Sequence, residues 1–261
     1  VQSLFTAENG GLVYGSTCTE DSNGVTPTVL VAEDKFTDAY TNDNSVSNTY
    51  TWTYDTAKPT MTITSNTIAS GGSTTTAAVV LIYTTNEATD DFAAADITDT
   101  GCTDDSFTTT STTIYGSTCT VTSDGAASIV VAADAFTDTA GNGNTVSNTY
   151  SWTQDDTGPT MTITSATVAS GSSTNTGAVV LVYTSNEVTD DFATGDITVT
   201  ECVHSDFTTA SSTVYGSTCT EATNAVTPTV LVAVDKFTDT AGNDNTVSNT
   251  YTWTYDTADP T

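Results

Sequence analysis

Residues 136–152, FTDTAGNGNTVSNTYSW, join a loop of turn formers (Asp138, Gly141, Asn142, Asn144) to a run in which Val146, Asn148, Tyr150 and Trp152 share one parity. Ser147, Thr149, Ser151 and Thr153 hold the other. That period of two predicts a strand with one buried face. The same stretch returns at 36–52 and 237–253, so the chain is built on a repeat of about a hundred residues.

Complete copies begin at Met61 and Met161 with MTITS, a short first strand. A Gly/Ser/Thr loop then leads to a near-continuous apolar strand at 77–83 and again at 177–183. In the later copy an acidic loop at 186–196 follows, then strands at 197–200, around Tyr215, at 229–233 and through Tyr251 and Trp253. No helical apolar period of useful length occurs. Short strands separated by Gly, Asn, Asp, Ser and Pro predict an all-β chain of tandem antiparallel β-sandwiches, not a barrel or an α/β fold. The segments DTAKPT, DDTGPT and DTADPT close the three copies. Their prolines stiffen the junctions, and short stiff linkers between beads predict a rod.

Residues 1–60 match only the back half of a repeat: Val13, Tyr14 and Cys18 parallel Val214, Tyr215 and Cys219. The expected units are therefore an incomplete 1–60, then 61–160 and 161–261. The first is not expected to fold alone, because it would expose an apolar face and unpaired edges. Its front half would come from polypeptide ahead of Val1, which would also carry the partner of Cys18, or from a neighbouring subunit by donor-strand complementation. Val1 opens no signal-peptide pattern, so the sequence reads as a processed chain or a window of a longer one.

The order MTITS, then SNEVTDDFATGDITVT, then the Tyr215 strand, then DKFTDTAGNDNTVSNTYTWTYDTADPT resembles the bacterial Ig-like repeats of large secreted surface adhesins and biofilm proteins, in a cysteine-containing variant. FTDTAGN followed by NTYTWTYD carries most of the resemblance, which covers essentially the whole chain. It implies tandem Ig-like domains in an extracellular stalk, in some members with calcium at the domain junctions.

Composition narrows the setting. Three Lys/Arg against 32 Asp/Glu leave a formal charge of −29, which repels phosphate backbones and argues against nucleic acid as a partner. No apolar run is long enough to insert in a membrane. About a third of the residues are Ser or Thr, which suits exposed strand faces, and no N-x-S/T sequon occurs. Cys102 and Cys119 stand 17 apart, as do Cys202 and Cys219, and the recurrence predicts a disulfide inside each copy. Each would add roughly 3 kcal/mol and implies an oxidising compartment, outside the cell or on its surface. Cys102 has the opposite parity to Ile97, so a bulge or turn must intervene. His204 has no counterpart in the other copies, and no Ser-His-Asp or Cys-His set repeats, so no enzymatic activity is expected. Trp52, Trp152 and Trp253 lie on the buried parity and are expected in cores, not as sugar-stacking platforms.

In an Ig sandwich the loop after the second strand, the loop before the last strand and the entering linker meet at one end. All three are rich in oxygen ligands here. For the first junction the candidate metal ligands are Asp55, Glu87, Asp90, Asp91 and Asp138. For the second they are Asp155, Glu187, Asp190, Asp191 and Asp239, with Asn142 and Asn243 as possible amide ligands. Ca²⁺ takes six to eight oxygens and would relieve the crowded charge; the alternative is that Asp and Asn serve Asx turns and left-handed positions. Two function classes follow. One is a structural or stalk module of an extracellular filament or adhesin, partnered by neighbouring repeats or subunits of the same fibre. The other is an adhesive module for a glycan or a host or cell-surface protein, which needs a break in the repeat symmetry; the strongest lies at 201–204.

Overall fold

The computed structural model describes residues 2–8, 12–89, 91–189, 191–221 and 223–259. The opening segment carries β1 (Gln2–Glu8), β2 (Val13–Cys18), β3 (Thr28–Val29) and β4 (Tyr50–Thr51). The middle repeat carries β5 (Met61–Ser65), β6 (Ser73–Thr74), β7 (Ala78–Thr85), β8 (Ile97–Thr100), β9 (Thr103–Ser111), β10 (Ile114–Thr120), β11 (Gly125–Val131) and β12 (Tyr150–Gln154). The last repeat carries β13 (Met161–Thr164), β14 (Ser173–Thr174), β15 (Ala178–Ser185), β16 (Ile197–Thr200), β17 (Val203–Ser211), β18 (Val214–Thr220), β19 (Thr229–Val232), β20 (Tyr251–Thr252) and β21 (Thr254–Tyr255). Among the described residues no helix is long and apolar enough to cross a membrane.

The middle repeat is a sandwich of β5-β7-β10-β9 on β6-β12-β11-β8, antiparallel throughout except where β6 joins β12. The last repeat keeps the order, with β13-β15-β18-β17 in one layer and β14-β21 and β16-β19-β20 in the other. Alternation along β7 explains the layers: Val79, Leu81 and Tyr83 are buried, whereas Val80 between them is exposed. They share a core with Ile63, Ile129, Val131 and Trp152. At roughly 2 kcal/mol per buried aliphatic, five of these outweigh one disulfide of roughly 3 kcal/mol. The crosslink therefore reinforces a fold that the core makes.

At one end the core closes on Phe92, whose ring lies 5.0 Å from Tyr115, 5.1 Å from Phe136 and 5.6 Å from Phe107, edge to face in each case. Phe192 repeats this with Tyr215, Phe237 and Phe207. Phe92 and Phe136 sit in the two loops that carry Asp91 and Asp138, so the plug fixes the base of the acidic loops.

Three expectations need correction or completion. Strand pairing before the last strand does not reach Val146, which is 60% exposed; the strand starts at Tyr150. The reason is that side chains replace the ladder. Ser147 Oγ accepts from Val131 N, while Asn148 accepts from Ile63 N and donates to Ile63 O at 2.7 and 3.0 Å. The strand β9, with its copy β17, went unread because its run of Thr and Asp looks like a loop. It is an edge strand, and Ser106 at φ 57° bulges it, which blunts its use as a template for pairing. Cys102–Cys119 and Cys202–Cys219 are bonded, with Cα–Cα distances of 5.7 and 5.6 Å. The required turn is a left-handed residue before each first cysteine, Gly101 (φ 74°) or Glu201 (φ 59°). At Gly101 a Cβ would lie 2.1 Å from Ala126 O.

Candidate functional site

The linkers are hydrogen-bonded to the repeats that follow them. Thr145 N donates to Pro59 O (2.9 Å), Asn142 Nδ2 to Asp55 O (3.1 Å) and Thr60 N to Asn86 Oδ1 (2.6 Å). At the second junction Thr246 N donates to Pro159 O (2.9 Å), Asn243 Nδ2 to Asp155 O (2.8 Å) and Thr160 N to Asn186 Oδ1 (2.5 Å). These bonds carry Asp55 and Asp155 to the two acidic loops. One carboxylate oxygen each from Asp55, Glu87 and Asp138 then lies within 4.8 Å of the others, and Asp155, Glu187 and Asp239 repeat the arrangement.

Asp138 is buried and pinned. Its Oδ1 accepts from Ala140 N and Asn142 N, and its Oδ2 from Asn142 Nδ2. Burial alone would raise its pKa, but these bonds carry it below the ordinary carboxylate value. Glu87 goes the other way, raised by burial and then by the charges of Asp138 and Asp55. Glu187 is raised by burial and by Asp155, with Asp239 and Asp124 adding to it. The sequence reading missed Asp124, which accepts from Asp156 N (2.8 Å) and Thr157 Oγ1 (2.5 Å) and adds a nearby carboxylate to the second junction. Its signal was available, because the first and last copies place Asn23 and Asn224 in the same role toward Thr56 and Thr257.

Other candidates are placed elsewhere. Asp91 clamps the two loops by accepting from Thr137 N and Oγ1 and from Thr89 Oγ1, and Asp191 does so with Thr238 and Thr189. Asp96 and Asp196 each accept from the N–H three residues back, Ala93 or Ala193, and so cap a short 3₁₀ turn. Asp90 and Asp190 lie outside the described residues. Asn142 and Asn243 spend their Nδ2 on the linker and on Asp138 or Asp239, which leaves Oδ1 as the ligand atom. Both trios offer only oxygen, with one carboxylate ordered in advance, and such acidic clusters can hold a hard metal ion.

The two-sheet layout and the linker that opens each repeat agree with a comparison across protein families. Residues 55–153 match the bacterial Ig-like domain family. The last repeat has the same strand order. Among curated proteins, none matches the chain. Similar solved structures include FdeC, described as a broadly conserved Escherichia coli adhesin, at 11% identity and TM-score 0.42, covering 77% of this chain and 65% of that one. Invasin, described as a bacterial integrin-binding protein, has 14% identity and TM-score 0.39, covering 88% and 55%. Yersinia pseudotuberculosis InvD has 14% identity and TM-score 0.36, covering 79% and 61%. The chain thus spans less than two thirds of each of these proteins.

Proposed function

We propose that the chain is a stalk module of an extracellular surface protein, built of disulfide-containing bacterial Ig-like repeats whose junctions bind Ca²⁺. The supporting observation is the same carboxylate trio at both junctions, held by the same linker bonds. Three charges within 4.8 Å repel one another by about 1 kcal/mol per pair in water-like dielectric, less where solvent screens them. A divalent ion removes that repulsion and ties linker, second-strand loop and last-strand loop together, with water filling its remaining positions. Disulfides and acidity support a setting outside the cell. The adhesive alternative needs an exposed aromatic platform. Among the described residues the exposed aromatics are Phe5, Tyr14, Phe36, Tyr40 and Tyr50, all in the incomplete segment and none in a complete repeat.

Small-angle scattering and melting of the chain in calcium and in EDTA test the proposal. Calcium at a hundredfold its dissociation constant adds about 2.7 kcal/mol per site, so a higher melting temperature and a longer, stiffer particle are expected. An unchanged maximum dimension and melting temperature would leave the acidic loops as turns and the junctions held by packing alone.

A further inference from the structure

The complete repeats show what the first segment lacks. Tyr14, Val31, Phe36 and Tyr50 are 56%, 44%, 63% and 65% exposed, whereas their counterparts Tyr115, Val131, Phe136 and Tyr150 are 3%, 0%, 2% and 5% exposed. In the middle repeat those four share a core with Ile63 of β5, Leu81 and Tyr83 of β7, and Phe92. The backbone is open as well. Among the described residues β2 pairs only with β1, while its counterpart β10 lies between β7 and β9, and β3 pairs only with β4, while β11 lies between β8 and β12. Two grooves of about 460 and 770 Å³ run along this face, and the smaller is lined by Cys18, a free thiol, with Tyr50 and Trp52.

We propose that this face is the acceptor for the front half of a repeat of the same type, carried on the polypeptide directly ahead of Val1 and locked by a disulfide to Cys18. A second copy of the chain does not supply it. In both complete repeats the strands that would be needed, β7 and β15, are already paired on both sides and packed in their own cores. The connection to the next strand sets the position. β8 ends at Thr100 and β9 begins at Thr103, and β16 ends at Thr200 and β17 begins at Val203, with the cysteine inside that two-residue step. Gln2 pairs with Cys18 as Asp104 pairs with Cys119 and His204 with Cys219. The missing cysteine therefore adjoins Val1.

Register and packing also set the chemistry of the occupant. A strand antiparallel to β2 would place an aromatic across from Tyr14, as Tyr83 lies across from Tyr115, and a small aliphatic across from Cys18, as Val79 lies across from Cys119. A phenylalanine in the loop after it would stand on the Phe5–Tyr14 stack, whose rings are 5.4 Å apart, as Phe92 stands on Phe107 and Tyr115. Closing the disulfide removes two protons and two electrons from the two thiols, and a disulfide oxidant such as oxidised glutathione takes them up as two glutathione thiols.

The test joins a copy of residues 161–202 directly ahead of Val1 in the full chain and refolds it in a glutathione buffer. Without the addition the chain titrates one thiol, Cys18. With it, no thiol should titrate, and unreduced mass mapping should find Cys18 linked to the added cysteine. Amide exchange of β2 and β3 should slow by about a hundredfold or more, toward β10 and β11. A version with both cysteines replaced by serine should keep the slow exchange, which separates covering from crosslinking. Fast exchange in both extended chains, with both thiols reactive in the one that keeps its cysteines, overturns the proposal. So does protection of the same strands in the unextended chain when sedimentation shows it as a dimer, since two open faces would then cover each other.

Discussion

Asn144 is wholly buried, and its amide holds the loop before the last strand by four backbone bonds. Oδ1 accepts from Ala135 N (2.7 Å) and Phe136 N (2.9 Å), and Nδ2 donates to Ala132 O and Thr145 O (2.8 Å each). Asn144→Ala would strand two N–H and two C=O groups where water reaches poorly. At about 1 kcal/mol net per bond the loss is about 4 kcal/mol, a large part of the roughly 5–15 kcal/mol that holds a domain. Asn144→Asp dissects the effect, because a carboxylate still accepts from Ala135 and Phe136 but cannot donate to the two carbonyls. It should lose at least half as much. Amide exchange in urea reads each repeat separately, through β11 for the middle and β19 for the last. Only the middle repeat should weaken, and Asn245→Ala should do the reverse, since Asn245 makes the same four bonds to Lys236, Phe237, Ala233 and Thr246. The loop also carries Asp138, so calcium should no longer stabilise the first junction in Asn144→Ala. A loss under about 1 kcal/mol in the middle repeat, or equal losses in both, would refute the reasoning.

At the second linker a Cβ on Gly158 would lie 2.2 Å from Asp244 O, so Gly158→Ala should cost the last repeat roughly 1–3 kcal/mol in chemical denaturation, and an unshifted midpoint would contradict it. Lys58, its counterpart, makes only an exposed ion pair with Asp134 (3.1 Å), so Lys58→Ala should cost under about 1 kcal/mol in the same measurement. Glu221→Val should leave the melting temperature of the last repeat unchanged or raised, because it restores the Val121 arrangement and removes a buried carboxyl whose Oε2 has no partner. Glu87 and Glu187 have raised pKa values, so the stability tied to them is gained as pH falls through those values. Asp91, Asp138 and Asp191 are lowered, so theirs is present above the ordinary carboxylate value and lost as pH falls through the folded ones. Melting in EDTA should therefore peak on the mildly acid side of neutral and fall at lower pH, and calcium should remove the acid-side gain; a steady decline from neutral pH in EDTA would contradict the junction electrostatics.

Fold class and repeat length were legible because they rest on alternation and recurrence. Tyr150 and Trp152 alternate with Ser151 and Thr153 and so announce a buried face, and Cys102 and Cys119 recur one repeat later. What escaped was local chemistry that leaves no apolar trace. Phe107 is the one large apolar residue in β9, so no period could show. Val146 shares the sequence parity of Tyr150 and Trp152 yet is exposed while Ser147 is buried, because the side chains of Ser147 and Asn148 bond the backbone that a ladder would have used. The acidic end was legible as topology, since any Ig order brings the linker and two loops together. The division of labour within it was not, because Asp91 differs from Asp138 only in which N–H and hydroxyl groups its loop presents.

The complete repeats share their cores and differ at their ends. Ile63, Leu81, Tyr83, Phe92 and Trp152 correspond to Ile163, Leu181, Tyr183, Phe192 and Trp253, all of them buried. The first junction combines Lys58 with Gly143, where a Cβ would meet Asp134 at 2.4 Å; the second combines Gly158 with Asp244. The crowding atom is a backbone oxygen at Gly158 but the end of the exposed Asp134 side chain at Gly143, so the second junction constrains its glycine more than the first. Asp124 adds charge to the second junction only, where the other copies carry asparagine. Inside the last repeat Glu221 accepts from Trp253 Nε1, whereas Trp152 Nε1 has no partner and Val121 stands in the place of Glu221. A sandwich core sets whether a repeat folds, and it is nearly the same twice. On the stalk reading, the mechanical property of interest is how one repeat is held to the next. Apart from that buried Glu221–Trp253 pair, these differences fall where they would tune that stiffness junction by junction.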